Sequence, residues 1–140
     1  MGGMVLLIGR LVFSFFFIYS GFNHLTKLGM YSQYAGASGV PAPTLATAVS
    51  GLMLLAGGAS ILLGVLPRWG ALLILLFLIP AAFTVHKFWG ISDPMMAANQ
   101  AAHFWKNISL AGALWRMREG KCTARPEDEA LALVQDRIAQ

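Results

Sequence analysis

The chain has 140 residues, 57% hydrophobic and only 11% charged, and ten basic against six acidic residues give a formal net charge of +4. Ordinary soluble domains carry about a quarter charged residues. With a mean hydropathy of +0.65, this chain has too few charges to cover a soluble surface, and the composition predicts an integral membrane protein. The basic excess reads as an orientation signal and contact with anionic headgroups, not as nucleic-acid binding, because the basic residues form no separate domain. Cys122 is the only cysteine, which rules out an intramolecular disulfide and a CxxC redox pair.

The first predicted span, residues 4–24, is long enough to cross a hydrocarbon core of about 30 Å. It has no basic stretch before it and no small-residue cleavage site just after it, so it is expected to stay attached. Arg10 interrupts its first half and reads as an orientation anchor that snorkels to the nearer headgroups. Residues 25–43 read as a loop, punctuated by glycines, Pro41 and Pro43. Within it, Met30, Tyr31 and Tyr34 suggest a short interfacial stretch able to fold over the bundle end as a lid. The second span is placed at 44–66, where Ala56, Ser60 and Gly64, with Gly57 and Gly58, predict close helix packing.

Pro67-Arg68 reads as a short turn into an antiparallel third span at 69–89. Tryptophans bracket that span, and Pro80 is expected to kink it. Asp93 followed by Pro94 reads as the N-cap and first residue of a fourth span, 94–117. In the tail, 119–140, Pro126 and the acidic Glu127, Asp128 and Glu129 read as a first helical turn. Leu131, Val134 and Ile138 would then share one face. The expected fold is all-α: an integral membrane four-helix transmembrane bundle with a short cytoplasmic C-terminal helix.

Four spans bring both termini to one side, together with Arg68, Arg116, Arg118, Lys121 and Arg125, against Lys27, Lys87 and Lys106 on the other. The bias predicts cytoplasmic termini in a bacterial inner membrane. This topology also gathers polar residues that are far apart in sequence. His24, His86 and His103 all fall toward the outer end, and on the fourth span Asn99, His103, Lys106 and Asn107 lie within an arc of about 100°. Gln100 and Ser109 lie just beyond its edges. These six residues, His24, His86, Asn99, His103, Lys106 and Asn107, are the candidate ligand-binding set; Arg10, Arg68, Arg116 and Arg118 are read as structural and orienting.

Imidazole suits zinc, copper and iron, but no HxxxH pair and no carboxylate accompanies these histidines within the spans. Neither a bound metal nor haem is expected. Carboxylate pairs, P-loops and Rossmann glycines are absent from the sequence. A pocket for a small amphipathic ligand remains, and a quinone fits the pattern. Its head takes hydrogen-bond donors at membrane depth, and its tail takes an apolar cleft such as one beside Phe15 to Phe17 and Phe104.

Several short stretches resemble the DoxX family of small four-helix membrane proteins. They are Gly9-Arg10-Leu11; Tyr19-Ser20-Gly21 with Leu25; Gly39-Val40-Pro41-Ala42-Pro43; Gly57-Gly58 with Gly64; His86-Lys87-Phe88-Trp89; and Phe104-Trp105-Lys106-Asn107 leading to Gly112. The resemblance runs from about residue 5 to 116. Many relatives carry a lysine soon after the Ser-Gly pair and a glutamate in the second span. Here these regions read Asn23-His24 and Leu52-Met53-Leu54. The resemblance implies a quinone-linked redox accessory subunit, since the family includes proteins associated with a quinol oxidase and a thiosulfate:quinone oxidoreductase. The alternative is a non-catalytic structural or assembly subunit of a larger respiratory complex.

Overall fold

The computed structural model describes residues 2–119 and 134–138, and among them regular structure is entirely helical. Five helices follow in order: α1 (Gly2–Thr26), α2 (Leu28–Ala37), α3 (Pro43–Leu63), α4 (Pro67–Thr84) and α5 (Pro94–Arg118). Residues 134–138 are helical, with Val134 and Ile138 exposed. Cys122, Lys121, Arg125, the acidic turn at 126–129 and Leu131 lie outside the described residues.

Each boundary has a local cause. Asp93 accepts a hydrogen bond from the Met96 backbone N–H at 2.8 Å, and Pro94 opens α5 at the position where a missing N–H costs nothing. α4 likewise opens on Pro67, so the turn before it is Gly64 to Leu66, not Pro67-Arg68. Two left-handed residues, Gly64 and Leu66 (φ +70° and +51°), reverse the chain there. The Ser60 hydroxyl lies 2.6 and 3.0 Å from the Val65 and Leu66 carbonyl oxygens and so ties the last turn of α3 to the turn that follows it.

Two expectations are corrected. The stretch read as a loop is mostly the helix α2, separated from α1 by Lys27 alone. Its glycines, Gly29 and Gly36, sit inside the helix, where they weaken propensity without breaking the turn-to-turn hydrogen bonds. The third span ends at Thr84, five residues before Trp89. His86 and Lys87 therefore stand in the connection to α5 and not on a helix. The Ala81 carbonyl accepts from both the Val85 and His86 N–H groups, and that shared bond ends the regular ladder.

The four long helices pack as a row: α1 on α3, α3 on α4, and α4 on α5, with α2 lying on α3. α1 and α5, the outer members, are not packed backbone to backbone. Phe17, Leu54, Ile61, Ile74, Leu78 and Leu114 form the centre of the core. α3 achieves its central place through glycine. A methyl group at Gly21 would come within 2.7 Å of the Gly51 carbonyl oxygen and 2.8 Å of the Leu55 nitrogen, so α1 and α3 touch backbone to backbone there. On the opposite side, Gly57 meets Gly70 of α4 equally closely. Of the small residues singled out at four-residue spacing, Ser60 packs on Gly70, whereas Ala56 is exposed.

The outward surface is apolar. Val5, Val12, Phe15, Phe22, Leu45, Leu52, Leu63 and Phe83 are all more than half exposed. α3 and α4 are, among the described residues, long and apolar enough to cross a membrane.

A paired substitution tests the close approach of α1 and α3. Gly21→Ala is expected to cost about 1–3 kcal/mol, because two backbone atoms must move. Gly9→Ala, on the same helix with nothing within 4 Å of an added methyl, is expected to be neutral or stabilising by up to about 1 kcal/mol. Thermal unfolding of both variants in one detergent checks the difference.

Candidate ligand-binding site

A partly open cavity of about 580 Å³ lies at the end of the row formed by the C-terminal ends of α1 and α4 and the N-terminal half of α5. α3 and α4 make its back wall, α1 and α5 flank it, and α2 covers its end through Tyr31 and Tyr34. Its walls are largely apolar, including Phe16, Phe17, Val49, Met53, Leu76 and Phe77. Its polar contributions are Ser20, His24, Thr47, Ser50, Thr84, His86, His103, Lys106 and Asn107.

Of the six candidate residues, the structure brings five to this cavity. Asn99 is exposed and lies elsewhere. Asn23 is buried but bonds back to the Tyr19 carbonyl of its own helix at 2.9 Å. Phe15 faces outward, and Phe104 packs within an aromatic group with Phe83, Phe88 and Trp89, so neither lines the cavity. At the other end of the row, Arg68 and Arg118 share a surface hollow with Trp69 and Trp115. Arg10 lies against the α3 terminus, where an added methyl at Gly64 would sit 2.9 Å from its guanidinium. A cation beside a helix C-terminus is favourable.

The hydrogen bonds orient the rings. His24 Nδ1 lies 2.9 Å from Ser50 Oγ, and that hydroxyl donates its only proton to the Thr47 carbonyl at 2.8 Å. Nδ1–H of His24 must therefore donate, which leaves Nε2 as the acceptor of the neutral ring. The ring is further held by Tyr31 (centroids 4.5 Å apart) and Phe77 (5.7 Å). His103 has the opposite arrangement. Its Nδ1 lies 3.4 Å from Lys106 Nζ, and an ammonium only donates, so Nδ1 accepts and the ring proton stands on Nε2. His86 stacks on His103 with centroids 5.0 Å apart and planes 19° from parallel.

Gln100 completes the site, although it falls at the edge of the polar arc. Its side-chain oxygen accepts from His86 Nδ1 at 2.9 Å, and its Nε2 donates to the Tyr34 hydroxyl at 3.0 Å. This chain ties α2, the segment after α4, and α5 together. Sequence reasoning also passed over Thr47 and Ser50, whose signal was a polar pair at helical spacing on an otherwise apolar span.

Asn107 decides what the cavity is suited to. It is only 4% exposed, it lines the cavity, and its amide has no hydrogen-bond partner among the described residues. Its polar atoms open onto the cavity and are not sealed within the protein, so a ligand oxygen there could bond the amide. The sealed polar side-chain atom without a partner among the described residues, Ser14 Oγ, does not line the cavity. The described residues hold no group of three His, Cys, Asp or Glu side chains able to bind a metal ion.

Comparison with known proteins fixes the family. The DoxX family model matches residues 5–87. This chain belongs to the DoxX family. It is 31% identical over 110 residues to the inner membrane protein YphA of Escherichia coli (strain K12), an alignment covering 79% of this chain and 78% of that protein. No solved structure matches it significantly. DoxX membership and the apolar outer surface together make this a membrane protein.

Breaking the Tyr34–Gln100–His86 chain is expected to loosen α2. Gln100→Leu should lower local protection of the α2 amides by about 0.5–1.5 kcal/mol. Hydrogen exchange of residues 28–37 measures this, and Tyr34→Phe should move the same amides in the same direction.

Proposed function

We propose that the protein spans a bacterial inner membrane four times, with α1, α3, α4 and α5 as the spans and both termini cytoplasmic, and that it binds a quinone in the cavity at the outer end as a quinone-linked redox accessory subunit. The observation that carries this reading is the unpartnered amide of buried Asn107 beside Lys106 and His103. These three donors occupy one face of α5, at positions i, i+3 and i+4. A volume of about 580 Å³ falls within the range of small-molecule and cofactor sites.

The groups present suit a quinone. The aromatic and aliphatic walls take the ring and the start of an isoprenoid tail. Lys106, Asn107 and the Nε2–H of His103 are donors for one ring oxygen, and His24 Nε2 is an acceptor for a hydroxyl on the other. When bound, a quinone supplies reversible electron and proton chemistry, and the protein's part is to bind, orient and exclude water. His24, His86 and His103 are the imidazoles at the cavity, each with a ring nitrogen that could accept or hand on a proton. The name of the Escherichia coli relative and the positions of Arg68, Arg116 and Arg118 at the end opposite the cavity support the membrane and its orientation. A purely structural role in a larger respiratory complex has no comparably specific observation behind it, because the bilayer itself covers the exposed apolar surface.

His103→Ala and Asn107→Leu are each expected to weaken quinone binding by about 5- to 100-fold, the loss of one or two buried hydrogen bonds. The thermal unfolding midpoint should fall little. Binding is read by tryptophan fluorescence quenching of the purified protein. Unchanged affinity in both variants would remove this cavity as the quinone site.

A further inference from the structure

The cavity's charge makes the ligand class narrower. Among the described residues, one lysine and three histidines line it, and no aspartate or glutamate does. Lys106 has no carboxylate within reach among the described residues. Its ammonium meets only the uncharged Nδ1 of His103, at 3.4 Å, and the face of the Phe16 ring, 5.4 Å from its centre. Both are weak partners for a full charge. Lys106 is exposed at the rim of the cavity. A cation at the edge of a hydrocarbon region is costly unless an anion or water compensates it, and the adjoining donors have no acceptor among the described residues. Asn107 contributes an amide that opens onto the cavity without a partner, and His103, oriented by Lys106, has its proton on Nε2.

We infer that the cavity selects a quinoid ligand whose head carries negative charge on an oxygen, an ionised hydroxyl-substituted quinone in preference to a neutral one, with Lys106 as its counter-cation. The inference rests on the quinone reading above. The cross-cavity arrangement agrees with it: the anionic oxygen lies on the α5 side, where the donors are, and His24 and its serine partner face the other end of the ring. Charge-assisted hydrogen bonds are about twice as strong as neutral ones, so Lys106 sets the preference while the apolar walls hold both ligand forms alike.

The test uses the full-length protein in nanodiscs of zwitterionic lipid, so that no surface potential concentrates an anion. The probes are a 2-decyl-3-hydroxy-1,4-naphthoquinone, ionised at mildly alkaline pH, and its O-methyl ether, which has the same tail and cannot ionise. Wild-type protein is expected to bind the hydroxyquinone about tenfold or more tightly than the ether. Lys106→Met should abolish most of that ratio, and Lys106→Arg should keep it. Equal affinities for the two probes in the wild type would overturn the inference while leaving the quinone reading intact. Binding of neither probe would overturn both. Displacement of the hydroxyquinone by an equal concentration of a saturated carboxylate of similar tail length would support the charge preference and overturn the quinoid reading. If Lys106→Met fails to fold, the wild-type ratio and the arginine variant decide the matter.

Discussion

The fold depends on how closely α3 lets its neighbours approach. Gly51, facing Gly21, brings α1 against one side of α3, and Gly57, facing Gly70, brings α4 against another. In a low-dielectric surrounding such contacts rest on van der Waals packing, since lipid tails leave little hydrophobic gain between helices. Helices this tightly paired at the centre of a row leave the outer pair, α1 and α5, apart. The space between them is the cavity, so the same glycines that hold the row together also open the site.

The cavity then inherits its chemistry from where each helix ends. α1 and α4 run toward it and finish in His24 and, just beyond α4, His86, while α5 starts near it and turns His103, Lys106 and Asn107 inward. Among the described residues each of these histidines has a ring nitrogen engaged, whereas the Asn107 amide facing the same cavity has no partner. α2 adds tyrosines that hold His24 by ring contact and His86 through Gln100. The site is thus assembled from five helices but oriented by three short hydrogen-bond chains.

Much of this was legible in the residues, because composition and apolar runs record what a membrane imposes. The four long helices lie close to the stretches read as spans, and the histidines meet because antiparallel topology carries sequence-distant helix ends to one place. What was not legible depended on tertiary contact. Glycines at 29 and 36 suggested loop, yet α2 is stabilised by lying on α3, and packing overrides propensity. Asn99 shares an arc with Asn107 but sits two turns nearer the α5 terminus, where that face is exposed. Gln100, just outside the arc, points inward because Tyr34 and His86 stand opposite it. The tail's amphipathic pattern falls mostly outside the described residues.

The gap between α1 and α5 bears on how any occupant arrives. Lys106 of α5 reaches over the Phe16 ring of α1, 5.4 Å from its centre, so at the cavity's edge the two outer helices meet through side chains and not through their backbones. A ligand that entered between these side chains from a surrounding bilayer would already be dissolved in the membrane, and its effective abundance would be a mole fraction among lipids instead of an aqueous molarity. Occupancy would then track the ratio of ligand to lipid, so that diluting the vesicles would leave it unchanged while adding plain lipid would lower it.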